Sequence, residues 1–253
     1  MRKLFINIFC LIFIFSVQLF SQQFSTGSPE WLIDMFFIKS NFPDKANYFS
    51  GEMIKEADQK TLGEEINGKG KVSFHNLFAS NDKIVFTVQI KLDESDVTFY
   101  CYLKLENNIW KINAVRRFLL PAFIYSVRDS LSQLKSLSAN DSAFYRSLDL
   151  FTSSDDGLKE YLNKNLNLFK QLILSFNNNN KEQADKILSL LGCNAIYTDQ
   201  IYTGCTFIQI LKFEDMEAGF INITDDAILP IISPKNFVYI EEVTRGWYIY
   251  RMM

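Results

Sequence analysis

Between Lys71 and Val115 apolar and polar side chains alternate almost residue by residue, and short polar turns cut the alternation into four pieces. Val72, Phe74, Asn76 and Phe78 share one side of the first piece, with Ser73, His75, Leu77 and Ala79 on the other. Ile84, Phe86, Val88 and Ile90 form the inward side of the second. In the third, Val97, Phe99, Cys101, Leu103 and Leu105 alternate with Thr98, Tyr100, Tyr102 and Lys104. Ile109 to Val115 makes the fourth, and the links are Ser80–Lys83, Asp93–Asp96 and Glu106–Asn108. Successive side chains of an extended chain point to opposite faces, so a period of two marks a strand. Turns this short join antiparallel neighbours. Residues 71–115 therefore predict a four-stranded antiparallel meander.

Helical spacing flanks it on both sides. Ser28-Pro29-Glu30 is a helix start, with a capping hydroxyl, a proline suited to the first turn and an acid that complements the dipole. Trp31, Met35 and Ile38 then lie along one side, widened by Leu32 and Phe36, and a further short helical piece spans Ala46 to Ile54. After the meander, Phe123, Val127, Leu131 and Leu134 recur at helical spacing, and Ser142–Phe151 reads as another short helix. Ser153 to Gly157 opens a long helix carrying Leu158, Leu162, Leu166, Phe169 and Ile173. Another follows through Ala184, Ile187 and Leu191, and Gly192 is placed to end it. The remainder is strand-like: 196–202, 206–213, 219–223, a loop over 224–234, and a final hairpin of 237–243 with 247–250. The fold class is α+β, a helix-plus-antiparallel-sheet unit followed by helices and a second antiparallel sheet. Trp110 and Trp247 each follow a polar turn at the close of a sheet, which fits either an internal duplication or two α+β units built alike.

The N-terminus reads as an export signal. Met1-Arg2-Lys3 precedes an apolar stretch from Leu4 to Phe20, interrupted by Asn7, Ser16 and Gln18, and Ser21 supplies a small residue for cleavage. Seventeen residues fall short of the roughly 20 that span a bilayer. An uncleaved anchor of the same topology is the alternative. Cys10 lies in mid-run behind Phe9, where a lipid-modification site wants a small residue. The expected organisation is a signal peptide over 1–21, a first α+β domain over 22–118 and a helical segment with a second α+β domain over 119–253. Loss of Arg2 and Lys3 with the signal shifts the formal net charge from −3 to −5. An acidic chain has no general attraction for phosphate backbones or anionic lipid heads, so nucleic acid is not an expected partner. The expected location is periplasmic or extracellular, with no stable membrane span after cleavage.

The helix bearing Trp31, Phe36 and Phe37, the segment Asp44-Lys45-Ala46-Asn47-Tyr48-Phe49 and the close Asn107-Asn108-Ile109-Trp110-Lys111-Ile112 carry a resemblance. On these residues the first half resembles the NTF2-like (cystatin-type cone) superfamily, whose members include exported lumazine-binding-like domains. The resemblance covers roughly residues 29–117. It implies a curved sheet wrapping a helix, with a mouth where ligands sit in the members that bind them. A His–Asp pair in the cone recurs among NTF2-like enzymes. The stretch from Ile232 to Tyr250 is similar to the tails of uncharacterised exported bacterial proteins and brings no function with it.

The chemistry-bearing residues are few. His75 is the one histidine, a general base if a carboxylate orients it. Asp225 and Asp226, in the 224–234 loop, are the candidates for a calcium site. Export makes a disulfide possible, and Cys193 with Cys205 would close a short loop, leaving Cys101 as a buried thiol in a strand. Tyr100, Tyr102, Tyr248 and Tyr250 are the candidates for ligand or partner contact if their faces are open, and core residues if helices cover them. No phosphate loop, nucleophile elbow or paired-cysteine zinc motif occurs, and no cofactor is expected. The leading expectation is an exported, non-catalytic binding or interaction protein of the bacterial cell envelope, taking a small ligand or another envelope protein. The alternatives are a small-molecule enzyme using His75 in the cone and a subunit of an envelope complex.

Overall fold

The computed structural model describes residues 24–93 and 96–253; the segment read as an export signal lies outside them. The chain is α+β, with two antiparallel sheets and helices before and between them. Ser28 caps α1 (Pro29–Phe37), accepting a hydrogen bond from the Trp31 amide at 3.2 Å. Two 3-10 turns, Lys45–Tyr48 and Gly51–Glu56, lead to the short α2 (Leu62–Ile66). Thr61 and Glu64 close α2 with a reciprocal capping box. The first sheet follows in strict chain order: β1 (Lys71–Ala79), β2 (Lys83–Lys91), β3 (Asp96–Glu106) and β4 (Ile109–Arg116).

One face of this sheet takes α1. Leu32, Ile33, Phe36 and Phe37 pack on Phe86, Val88, Ile90, Cys101, Leu103 and Ile112, the side chains that the period of two turns inward. Trp31 stands edge-on to Phe42 and Tyr48, and Phe49 bridges to Ile112, so the turns after α1 close one flank of the core.

Two bulges break the alternation. The β1–β2 register slips between Asn76 and Phe78, so Phe78 comes opposite Val85, on the other face from Val72 and Phe74. The β3–β4 register slips between Tyr102 and Leu103, leaving Asn113 without a partner.

Four helices separate the sheets: α3 (Ala122–Ser132), α4 (Ala139–Thr152), α5 (Asp155–Asn177) and α6 (Lys181–Leu191). Gly192 ends α6 in the left-handed region at φ 62°, where a side chain is strained. The second sheet runs β5 (Ala195–Thr198), β6 (Cys205–Phe213), β7 (Met216–Ile223), β9 (Trp247–Met252) and, at its edge, β8 (Phe237–Thr244). Its strand order, β5-β6-β7-β9-β8, differs from that of the first sheet. One of its faces receives the helices, with Phe169 of α5 against Phe220 at 4.7 Å and Trp247 at 5.8 Å between ring centroids.

The two sheets share this core. Val85, Tyr100, Tyr102 and Ala114, on the face of the first sheet away from α1, belong to the same buried cluster as Leu162, Phe169, Ile208, Phe220 and Ile249. Polar bonds fix the junction. Tyr100 donates to Asp155 Oδ2 at 2.7 Å, Arg251 Nε donates to Asp155 Oδ1 at 2.6 Å, and Arg251 Nη2 donates to the Ser153 carbonyl at 2.6 Å. The Arg251 guanidinium lies 4.5 Å from the Phe118 ring centroid, and the Tyr100 and Tyr239 rings stack at 5.1 Å. Asp155 and Arg251 are both buried, so each charge depends on the other.

Replacing Asp155 with Ala leaves the Arg251 guanidinium buried and unpaired. Urea unfolding of that variant is expected to show a loss of about 3–5 kcal/mol, with Asp155→Leu combined with Arg251→Met recovering most of it.

Candidate functional site

A concavity of about 770 Å³ lies between the sheets. Its inner wall is the first sheet, at the end where both bulges fall: Leu77 and Phe78 from β1, Val85 from β2, Tyr102 from β3 and Asn113 from β4. Its outer wall is the strap from Leu229 to Pro234, and its floor is the edge strand β8 with Ile240, joined by Tyr248 of β9.

Each wall is fixed by hydrogen bonds. Tyr102 donates to the Val238 carbonyl at 2.7 Å, tying β3 to the bulged start of β8. Burial holds the Tyr102 phenol well above its usual range, so it stays a donor. The strap is clamped from the first sheet: Arg116 Nε donates to the Pro234 carbonyl at 2.7 Å, while Arg116 Nη2 pairs with Glu52 Oε2 at 2.7 Å. The Ser233 amide donates to the Phe237 carbonyl at 2.8 Å. Asn113 is set by what lies behind it. Gly51 has φ 56°, and a Cβ there would come within 2.4 Å of Asn113 Oδ1, so only glycine leaves the amide its place.

The lining is mostly apolar, with polar and charged groups interspersed. Asp82 Oδ1 accepts from the Ser80 hydroxyl at 3.1 Å. Glu242 Oε1 accepts from the Gly246 amide at 3.2 Å. Glu241 accepts from the Tyr239 hydroxyl and pairs with Lys159 at 2.8 Å. Burial pushes the Lys159 ammonium down, but Glu241 and Asp156 outweigh it and hold its pKa above the ordinary value. Lys83 and Lys104 complete the lining at the hairpin end.

The structure brings two of the four candidate tyrosines to this cleft. Tyr102 and Tyr248 line it. Tyr100 is consumed by the junction with Asp155, and burial together with that neighbouring charge raises its phenol well above the usual value. Tyr250 is buried on the outer face of the second sheet, where its hydroxyl and that of Tyr197 donate to Glu217 Oε1 at 2.6 Å and 2.8 Å. Tyr100 and Tyr250 are therefore core residues and offer no surface to a partner.

His75 is exposed on the edge strand β1, opposite Thr87, and is not among the residues that line the cleft. The carboxylate whose field it shares is Asp156. Burial pushes that pKa up, but hydrogen bonds from Gln89 and Lys159 and the Lys159 charge outweigh it, and His75 adds to the lowering. The mouth that the family resemblance implies, on the α1 side of the sheet, is filled: Leu32, Ile33 and Phe37 are fully buried there. Open space lies on the opposite face.

Asp225 and Asp226 are exposed in the turn after β7, and among the described residues no three acidic, histidine or cysteine side chains gather as metal ligands. The expected disulfide is not formed. Cys193 and Cys205 are free, as is Cys101, and all three are buried. The reason is the sheet between them: Cys193 packs with the helices on the inner face, whereas Cys205 points outward with Phe207. Burial pushes all three thiols up.

No protein-family model, curated protein or solved structure matches this chain.

In the chain without residues 1–21, a thiol reagent in mildly alkaline buffer is expected to find the native cysteines unreactive and all three free after denaturation. One reactive thiol after denaturation would instead report a Cys193–Cys205 disulfide.

Proposed function

We propose that this is an exported, non-catalytic binding protein of the bacterial cell envelope, and that its site is the cleft between the sheets. The observation that carries the reading is the cleft itself: about 770 Å³, walled mainly by apolar side chains, with a minority of polar groups among them. That volume and lining are those of a small-molecule pocket, in which apolar area supplies affinity and a few polar groups supply orientation. Bulges at Leu77 and Asn113 aim wall residues into the space, as bulges do beside functional sites. The strap lies in an irregular segment between β7 and β8, from Thr224 to Asn236, and irregular connections of such length are uncommon outside functional loops and linkers.

The α1 helix against a four-stranded meander supports an NTF2-like origin for the first unit. Export rests on Met1-Arg2-Lys3, the apolar stretch to Phe20 and Ser21. Among the described residues no helix is long and apolar enough to cross a membrane.

One observation favours membership of an envelope assembly as a second reading. Leu119, Phe123, Val127 and Leu134 stand exposed along one side of α3 and its flanks, a stripe that a partner subunit would cover. Sedimentation at rising concentration, with Phe123→Glu as control, tests whether the stripe drives association.

The main reading is tested with a neutral apolar fluorophore such as N-phenyl-1-naphthylamine. Saturable binding to the native protein is expected, lost in a folded Phe78→Asp variant and unchanged in His75→Gln. Failure of the native protein to bind the probe saturably overturns the cleft as a site. Cell fractionation tests export separately: a chain trimmed near Ser21 is expected outside the cytoplasm, and a full-length chain in the membrane pellet would show an uncleaved anchor.

A further inference from the structure

Ile240, Glu241 and Glu242 are consecutive in β8, and all three line the cleft. Neighbouring residues of a strand point to opposite faces, so a space that meets three in a row runs along the strand's edge. That edge is free, because β8 is the last strand of its sheet and pairs with β9 alone. The phase of the ladder fixes which main-chain groups look outward. The Gly246 carbonyl accepts from the Ile223 amide at 3.0 Å, and Asn222 lies opposite Trp247. Bonding alternates along a central strand, so Tyr248 and Tyr250 bond toward β7 while Ile249 and Arg251 bond toward β8. Their partners Glu241 and Tyr239 turn inward, which leaves Ile240 and Glu242 with amides and carbonyls turned outward.

Carbonyls at the start of β8 already take donors from outside the sheet. Val238 accepts from the Tyr102 hydroxyl at 2.7 Å, and Phe237 accepts from the Ser233 amide at 2.8 Å. Further along, the outward main chain of Ile240 and Glu242 meets no partner among the described residues. The strap does not fill the place. Leu229 to Ile232 make no main-chain hydrogen bond among the described residues, and Pro230 and Pro234 have no amide to offer. Charge selects no head group here. Asp82, Glu241 and Glu242 are interspersed with Lys83 and Lys104, and Lys159 and Glu106, from outside the lining, hold Glu241 and Lys104.

We propose that the cleft takes a short extended peptide, which adds to the free edge of β8 and pairs its main chain with Ile240 and Glu242. Main-chain bonds supply affinity in strand addition, and the walls supply selection. Alternate side chains of the peptide face Phe78 and Val85 of the first sheet, and the others face the strap, so aliphatic residues are favoured. The strap also limits the edge to one added strand, where an open edge would invite sheet-to-sheet association. This inference rests on the cleft being the binding site and names the class of ligand that enters it.

The test uses the capped peptide acetyl-Val-Thr-Val-Thr-Val-amide and the same peptide with every backbone amide N-methylated. The two share side chains and lack charge, and differ in the donors that strand addition needs. Calorimetric titration of the chain without residues 1–21 is expected to show the methylated peptide binding at least about tenfold more weakly, a factor of about 1.4 kcal/mol. The unmethylated peptide should displace N-phenyl-1-naphthylamine and slow hydrogen exchange at the Ile240 and Glu242 amides. Equal affinity for the two peptides, or binding without protection of those two amides, overturns the pairing with β8 and leaves the cleft standing as a site. The same holds if the fluorophore binds and neither peptide does. Binding of neither the peptides nor the fluorophore overturns the cleft as well.

Discussion

Asp155 opens α5, and the junction between the two sheets converges on its carboxylate. Ser154 caps the helix, so the charge sits where the helix dipole favours it. One carboxylate oxygen receives the phenol of Tyr100 from the first sheet, and the other receives the guanidinium of Arg251 from the last strand. The interaction therefore joins three elements that are remote in sequence: β3, the start of α5 and β9. Around it, stacked Tyr100 and Tyr239 rings and the Phe118 ring under Arg251 exclude water and strengthen the bonds. With the sheets held at this point, the edge strand β8 lies against β3, and Tyr102 can reach the Val238 carbonyl.

The cleft is what remains where that contact stops. At the hairpin end of the first sheet, two bulges change the phase of the strands and turn Phe78 and Asn113 toward the second sheet. A regular sheet would present Leu77 alone from β1 and no unpaired residue from β4. The strap is then drawn over the space by Arg116, whose own charge is held by Glu52. Structure and candidate function thus meet in one device, a pair of bulged strands that fail to pack and a loop clamped over the gap.

Periodicity revealed most of the elements, because each long helix and strand buries one continuous face. The alternation of Ile84, Phe86, Val88 and Ile90 survives in the core under α1. The second face of β3 was legible in part: Tyr100 and Tyr102 are large amphipathic side chains that a helix can cover, yet nothing local shows that the first sheet is buried on both sides. The α2 helix has too few residues for periodicity, although Thr61 and Glu64 carry the spacing of its capping box. Ser153 to Gly157 was legible as a helix start, but Arg251 lies 96 residues from Asp155 and no motif links them. The bulges left no trace in composition, so Phe78 reads on the wrong face and the cleft cannot be drawn from sequence. The disulfide expectation failed for the same kind of reason, since spacing along the chain says nothing about which side of a sheet a cysteine takes.

The shared junction also bears on how the chain reaches its native state. Tyr100 and Asp155 are separated by 55 residues, Asp155 and Arg251 by 96, and Tyr102 and Val238 by 136. Contacts of such separation close large loops before they return any free energy, which slows folding. Until β8 and β9 arrive, the Tyr100–Tyr102 face of a completed first sheet stays wet and adhesive, beside the unpaired edge strand β1. The first sheet thus owes the burial of one whole face to strands that come last in the chain.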